Sequence, residues 1–273
     1  MERVKRFVHV ATLLIGLGAA GVARGQAPVV LGPETESVRL EPHLALLRDP
    51  SGAMTLAEAQ AAAAAGGFAP NRAAQIQLGF TDDAVWVRFA LRSARLAPAK
   101  WFVGLRHVRF EEIDWHVVRT NGTAEHAADG HRFQRGRGTV PELYPALAIE
   151  LAPDETVEVF LRVRTPMQVR IPLAVYAPEA YAAQVDDNGL FFLFCFGAYA
   201  MLFAMGVVFA VSARDWGYLV YAGSIACMIL FFGGLTGYWR HLGWPGWRFG
   251  TTNGTLARSE ERRVGEECRS RWS

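Results

Sequence analysis

Cysteine is nearly absent from this 273-residue chain. The three that occur are Cys195, Cys227 and Cys268. No disulfide can therefore brace the residues before Cys195, and a domain there must be held by its own core. An excess of one charge is missing too: 28 Lys and Arg stand against 26 Asp and Glu, for a net charge of +2. The basic residues are scattered, which leaves no nucleic-acid footprint. No internal repeat is visible. The most consequential absence is local. Gly189–Val211 and Trp216–Tyr238 each run for about 23 residues without a charged side chain. At roughly 1.5 Å per residue each makes a helix of about 34 Å, enough to cross a hydrocarbon core of about 30 Å. Only Ser212-Ala213-Arg214-Asp215 separates them, so two such spans form an antiparallel hairpin. The alternative is a buried hairpin of a large soluble protein, but runs this long and apolar read first as membrane spans.

What is present at the N-terminus sets the direction. Arg3, Lys5 and Arg6 precede a mostly apolar run from Phe7 to Val22, centred on Thr12-Leu13-Leu14-Ile15. Small residues come next at cleavage spacing, Ala23/Gly25 or Gly25/Ala27. Residues 1–27 thus read as a secretory signal peptide, or as an uncleaved anchor. Either one exports the domain C-terminal to it. The positive-inside rule does not decide, because Arg214 lies in the loop between the spans and Arg240 and Arg248 lie beyond Tyr238, past the second span. The expected topology puts residues 28–188 in the periplasm and Arg214 in the cytoplasm of a bacterial inner membrane.

About 160 residues remain for the exported unit, the size of one domain with a proper core. Pro50-Ser51-Gly52 is a turn, and Thr55-Leu56-Ala57-Glu58 has the form of a capping box opening an Ala-rich helix that Gly66-Gly67 ends. Then the period becomes two. Val85, Val87, Phe89 and Leu91 alternate with Trp86, Arg88 and Arg92; Ile113, Trp115 and Val117 with Asp114 and His116. Val103 and Leu105, then Leu147, Ile149 and Leu151, then Val157, Val159, Leu161 and Val163 repeat the pattern, and Ile171–Tyr176 is a last strand. Asn121-Gly122 and Pro153-Asp154-Glu155 are turns. Short strands with frequent turns predict a mainly β fold, a β-sandwich in residues 28–183, followed by a transmembrane α-helical hairpin at 189–211 and 216–238.

Several of these stretches resemble one bacterial sensor family. They are Leu78-Gly79-Phe80-Thr81, Val85-Trp86-Val87-Arg88-Phe89, Trp101 opening a strand, and Phe160-Leu161-Arg162-Val163, all ahead of the apolar segments. Asp49-Pro50-Ser51-Gly52 with Thr55 and Leu56 resembles the family's opening. The family is the seven-transmembrane receptors with diverse intracellular signalling modules, and the resemblance covers about Leu40 to Trp247. It implies a jelly-roll-like periplasmic domain similar to carbohydrate-binding modules, seven spans, and a cytoplasmic output such as a diguanylate cyclase, histidine kinase or phosphatase. The chain departs from that pattern in having two spans. Residues 255–273 are dense in charge and cannot form a third; they read as a non-native tail or as a true basic tail.

The polar sides of the strands gather Trp86, Arg88, Arg162, Asp114 and His116, an aromatic ring beside charged donors and acceptors, as a sugar or small polar ligand requires. The competing reading is a solvated outer face on which Trp86 packs under a loop. Glu111, Glu112 and Asp114 are weak candidates for a glycosidase pair, since Glu111 and Glu112 are neighbours expected in a turn. His126, Asp129 and His131 read as residues of an exposed loop rather than metal ligands. Asn121-Gly122-Thr123 fits a glycosylation sequon but needs only a hairpin. Tyr238, Trp239, Trp244 and Trp247 read as an interfacial aromatic belt. The expectation is a receptor fragment, not itself an enzyme and without cofactor or metal. Its partners are the lipid bilayer, a small polar ligand or carbohydrate, and a second copy in a homodimer. The alternatives are a membrane-tethered carbohydrate-binding module and an exported hydrolase.

Overall fold

A computed structural model describes residues 27–106, 110–130, 137–140, 142–236 and 238–241. The signal-like segment, His131, Trp244, Trp247 and the charged tail lie outside the described residues.

Alternating apolar residues need a partner layer, and the chain supplies it with two facing sheets. The larger orders its strands as β4 (Ala69–Pro70), β3 (Ala45–Asp49), β6 (Ala84–Ser93), β11 (Thr156–Arg164), β8 (Glu112–Arg119) and β9 (Ala124–Asp129), with β1 (Val29–Leu31) running parallel to the end of β6. The smaller orders β10 (Ala146–Leu151), β7 (Ala99–Leu105), β13 (Leu173–Tyr176) and β2 (Ser37–Arg39). A short pair, β12 (Gln168–Arg170) with β5 (Gln77–Phe80), lies outside both. The core between the layers takes the residues that the alternation picks out. Val85, Val87, Phe89, Trp115, Val159 and Leu161 come from one sheet, and Trp101, Val103, Ile149 and Val175 from the other. This is a β-sandwich, packed face to face.

The turns obey local chemistry. In the β8–β9 hairpin Gly122 has φ of 83°, and the Asn121 carboxamide oxygen accepts from the Thr123 amide at 2.9 Å. Residues 124–129 therefore form a strand where an exposed loop was expected.

The capping box is present: Thr55 caps α1 (Leu56–Ala64), and the Glu58 carboxylate accepts from the Thr55 amide at 2.7 Å. Gly66, at φ of 76°, ends it. This helix lies over the outer face of the larger sheet, where Ala59, Ala63 and Phe68 cover Trp86 and Phe160 in a second, smaller core. The motif Asp49-Pro50-Ser51-Gly52 seats it. The buried Asp49 carboxylate accepts from the Ser51 hydroxyl at 2.6 Å and the Met54 amide at 2.9 Å, drawing the turn tight just before the cap.

After β13 a single residue, Ala177, leads into α2 (Pro178–Ala213). Proline at its first position suits a helix start, since that N–H would be unpaired anyway. The expected breaks at 183 and 189 fall inside this one helix. Arg214 takes a left-handed turn and Asp215 caps α3 (Trp216–Leu235), its carboxylate accepting from the Gly217 amide at 2.8 Å. Both helices are long and apolar enough to cross a membrane. They approach closely where Gly206 meets Ala222: a Cβ on Gly206 would sit 3.1 Å from that of Ala222. Tyr238 and Trp239, in the short α4 (Tyr238–His241), fold against Phe196 of α2 with ring centroids 5.0 and 5.7 Å away.

Candidate functional site

The five residues that the strand pattern singles out do share one surface. Register places Arg162 of β11 between Trp86 of β6 and Asp114 of β8, and Phe160 between Arg88 and His116. Every one of them projects from the outer face of the larger sheet.

What they do there differs from the expectation. Trp86 is 1% exposed, sealed beneath α1, so it offers no ring face for a ligand to stack on. Its flat neighbour is His116, at 5.8 Å and 19° between planes, and His126 stacks on the far side of His116 at 4.7 Å. The Arg162 guanidinium donates to the Asp114 carboxylate at 3.0 Å, to that of Glu112 at 3.2 Å and to the Gly52 carbonyl at 2.7 Å. It thus ties the sheet to the turn that starts α1. Arg88 is paired with Glu158 across the strands. Glu112 opens β8 instead of sitting in a turn, and faces Arg162. Burial holds the His116 ring mostly neutral, its pKa lowered from 6.5 to about 4, with the charges of His126 and Arg162 adding to the effect and Asp114 opposing it. His126 and Asp129 do not converge. His126 reaches the Asp114 carboxylate at 3.3 Å, while the buried Asp129 carboxylate accepts from the Gly130 amide at 2.6 Å and the Thr139 hydroxyl at 3.1 Å. Among the described residues no group of three or more His, Cys, Asp or Glu could hold a metal ion. This face is a closed network that clamps a helix: Arg88 and Arg162 are already paired, and the buried Trp86 indole N–H finds no hydrogen-bond partner among the described residues.

The open concavity lies elsewhere, at the end of the smaller sheet where α2 begins. It is a cleft of about 490 Å³, within the usual range for small-molecule sites. Because β13 pairs with β2 on one side and β7 on the other, Ala174 stands opposite both Arg39 and Gly104. That brings Arg39 and Arg106, 67 residues apart in sequence, to one rim. Arg170 of β12 supplies a third guanidinium, within 3.3 Å of the Gln75 side-chain oxygen. Tyr176 forms the floor, its ring lying over Gly104, where a Cβ would sit 3.3 Å from it. Burial raises the Tyr176 hydroxyl pKa, partly offset by the charge and hydrogen bond of Arg106. Glu41 lines the cleft at 8% exposure, and its Oε2 has no hydrogen-bond partner. Gln184 closes the cleft from α2. None of these residues stood out in the sequence; they come from six separate segments, and only strand pairing collects them.

A family model described as 7TMR-DISM extracellular 2 matches residues 41–177, half of the chain. The chain belongs to that family. In this 7TMR-DISM chain the match ends at Ala177, the residue where the sandwich gives way to α2. It is therefore a membrane receptor's sensor domain joined to two helices able to cross the bilayer. No curated protein matches the chain. Among solved structures, CBM35 from Cellvibrio japonicus Abf62 is similar at 12% identity and a TM-score of 0.22, covering 34% of this chain and 66% of its own. A Bacillus thuringiensis Cry1Da tryptic core variant is similar at 7% identity and a TM-score of 0.28, covering 57% of this chain and 25% of its own. The chain thus spans less than two thirds of either, and the fold rests on its own sheets.

Proposed function

We propose that this chain is the sensing end of a signal-transduction receptor of the bacterial inner membrane. In this reading residues 1–27 export the sandwich to the periplasm, where it senses a small polar ligand, a carbohydrate among the candidates. Arg214 and Asp215 face the cytoplasm, and the further spans and output module typical of the family act beyond them. The observation that carries the reading is the continuity of β13, Ala177 and α2, which leaves no flexible linker between sensor and membrane. The Tyr181 ring of α2 also stacks on Phe102 of β7 with centroids 4.4 Å apart and planes 5° apart. A helix so attached moves with the sandwich. In this reading the module senses a ligand, and of the carboxylates considered for hydrolysis Glu112 and Asp114 serve instead to hold Arg162.

Two experiments test this. Alkaline phosphatase fused after Asn188 is expected to be active, and fused after Arg214 inactive; the opposite pattern overturns the orientation. A hybrid joining residues 1–241 to the remaining spans and output of a family member should have its output set by this sandwich. Two glycines inserted after Ala183 should abolish that control and leave the sandwich's melt unchanged. A tethered binding module without a signalling role predicts no control in either hybrid.

A further inference from the structure

We propose that the arginine-lined cleft at the base of the sandwich binds a small organic anion, a carboxylate or phosphate ester, that also carries a hydrogen-bond donor. The proposal rests on the sensing reading and gives its ligand a chemical class and a place. Three guanidinium groups, of Arg39, Arg106 and Arg170, line one cavity against a single carboxylate, that of Glu41. Each guanidinium has five N–H donors in a fixed fork that matches a carboxylate or phosphate edge. In the cleft Arg170 is engaged with Gln75 and Arg106 with the Tyr176 hydroxyl, contacts that occupy only part of each five-donor fork. A neutral ligand would leave that charge unmatched. The outer face of the larger sheet is built otherwise, with Arg88 and Arg162 each closed by acidic neighbours of their own.

Glu41 supplies the second requirement. A carboxylate oxygen that is buried without a hydrogen bond is a rare and costly arrangement. Glu41 Oε2 is such an atom, and Glu41 is one of the residues that line the same cavity. A hydroxyl or ammonium on the ligand satisfies it once the carboxylate turns from its buried position toward the cleft. The anionic end and the donor end of the ligand are thereby set apart, the first toward the arginines and the second toward Glu41. Gln184 places the first turns of α2 in contact with whatever fills the cleft. A bound ligand bridges the smaller sheet and the helix that enters the membrane, which couples occupancy to the position of α2.

The cleft sits close to where the apolar run begins, so an anionic lipid headgroup shares this chemistry, and the test separates the two sources. The full chain is purified in nanodiscs of phosphatidylcholine alone, and its melting temperature is measured with D-glucuronate, L-glutamate, glucose 6-phosphate and neutral D-glucose. At least one of the three anions should raise the melting temperature by about 3 °C at saturating concentration, and D-glucose should not. The double variant Arg39→Ala, Arg170→Ala should weaken that binding at least about tenfold, as loss of charged hydrogen bonds does, its own melt without ligand reporting that it is folded. Glu41→Gln should weaken it as well, and Arg106→Lys should retain part of it, since the charge stays and the fork is lost. Stabilisation by D-glucose equal to that by the anions overturns the proposal, as does an unaltered affinity in the arginine variant. So does silence with all three anions, or stabilisation only in nanodiscs containing phosphatidylglycerol. Each of these results leaves the phosphatase and hybrid outcomes untouched, so failure of the site is distinguishable from failure of the sensing reading.

Discussion

Trp86 shows how one side chain can carry opposite readings. On the sheet's outer face it alternates with core residues, and only α1 above it makes it buried. Trp86→Ala should therefore cost about 3–5 kcal/mol of unfolding free energy by denaturant titration, the loss expected for emptying a packed aromatic site. Arg88→Ala removes a pair whose glutamate is 39% exposed, and should cost under about 1 kcal/mol. His116 gives the fold a pH dependence whose direction is set by its environment. The folded ring takes its proton only near pH 4 and the unfolded ring near pH 6.5. Between these values the unfolded chain holds the extra proton, so stability is lost as the pH falls through that window. At about 1.4 kcal/mol per pKa unit, and allowing for solvent that still reaches the ring, the loss is on the order of 2 kcal/mol. His116→Phe keeps the stack on Trp86 and should flatten the melting temperature between pH 6.5 and 4. Asp49 acts in a lower window. Burial alone would raise its carboxyl pKa, but hydrogen bonds from Ser51, Met54 and Gly52 hold it below the usual value, so its contribution is lost only at more acid pH.

Among the elements, α1 and the helical hairpin are small-residue solutions to close approach. Ala59 and Ala63 let α1 settle onto Trp86 and Phe160, and the Asp49 turn and the Thr55–Glu58 box fix where it starts. Thr55→Ala should lower the domain's stability by about 1 kcal/mol, measured by chemical denaturation, because a lost cap leaves helix N–H groups unpaired. In the hairpin, Gly206 is the point of contact with Ala222 and the Tyr221 ring. Gly206→Leu should force α2 and α3 apart, since the new side chain meets backbone and ring and not a flexible tip. Cysteines introduced at facing positions of the two helices should cross-link efficiently in the parent and poorly in this variant. The capping box and the two helices were legible beforehand because each is a local pattern. The continuity of α2 was not, because Gln184, Asp186, Asp187 and Asn188 are polar and fall between the expected sandwich and the expected span, yet they simply extend the helix beyond the apolar stretch.

Over the whole molecule, α2 is about 54 Å long at 1.5 Å per residue, and only its later part is apolar. Its first turns belong to the sandwich through Tyr181 and Gln184. A soluble fragment of residues 28–188 should therefore show β-type circular dichroism and a cooperative melt, and one ending at residue 177 should melt lower, since it loses the Tyr181–Phe102 stack. The sequence by itself determined the layers and the two long apolar helices. A period of two decides which side of each strand is apolar, and an uncharged run of sufficient length decides a helix able to cross a bilayer; both are properties of neighbouring residues. It also brought Trp86, Arg88, Arg162, Asp114 and His116 onto one face, because side chains alternate strictly along a strand. Only the tertiary structure decided that this face is closed by α1 and its own ion pairs. Only the tertiary structure, too, gathered Arg39, Glu41, Arg106, Arg170 and Gln184 around an open cleft. Those residues lie far apart along the chain, and their meeting depends on β13 pairing with both β2 and β7. No spacing rule within one segment encodes that pairing, because it joins strands from distant parts of the chain side by side in one sheet.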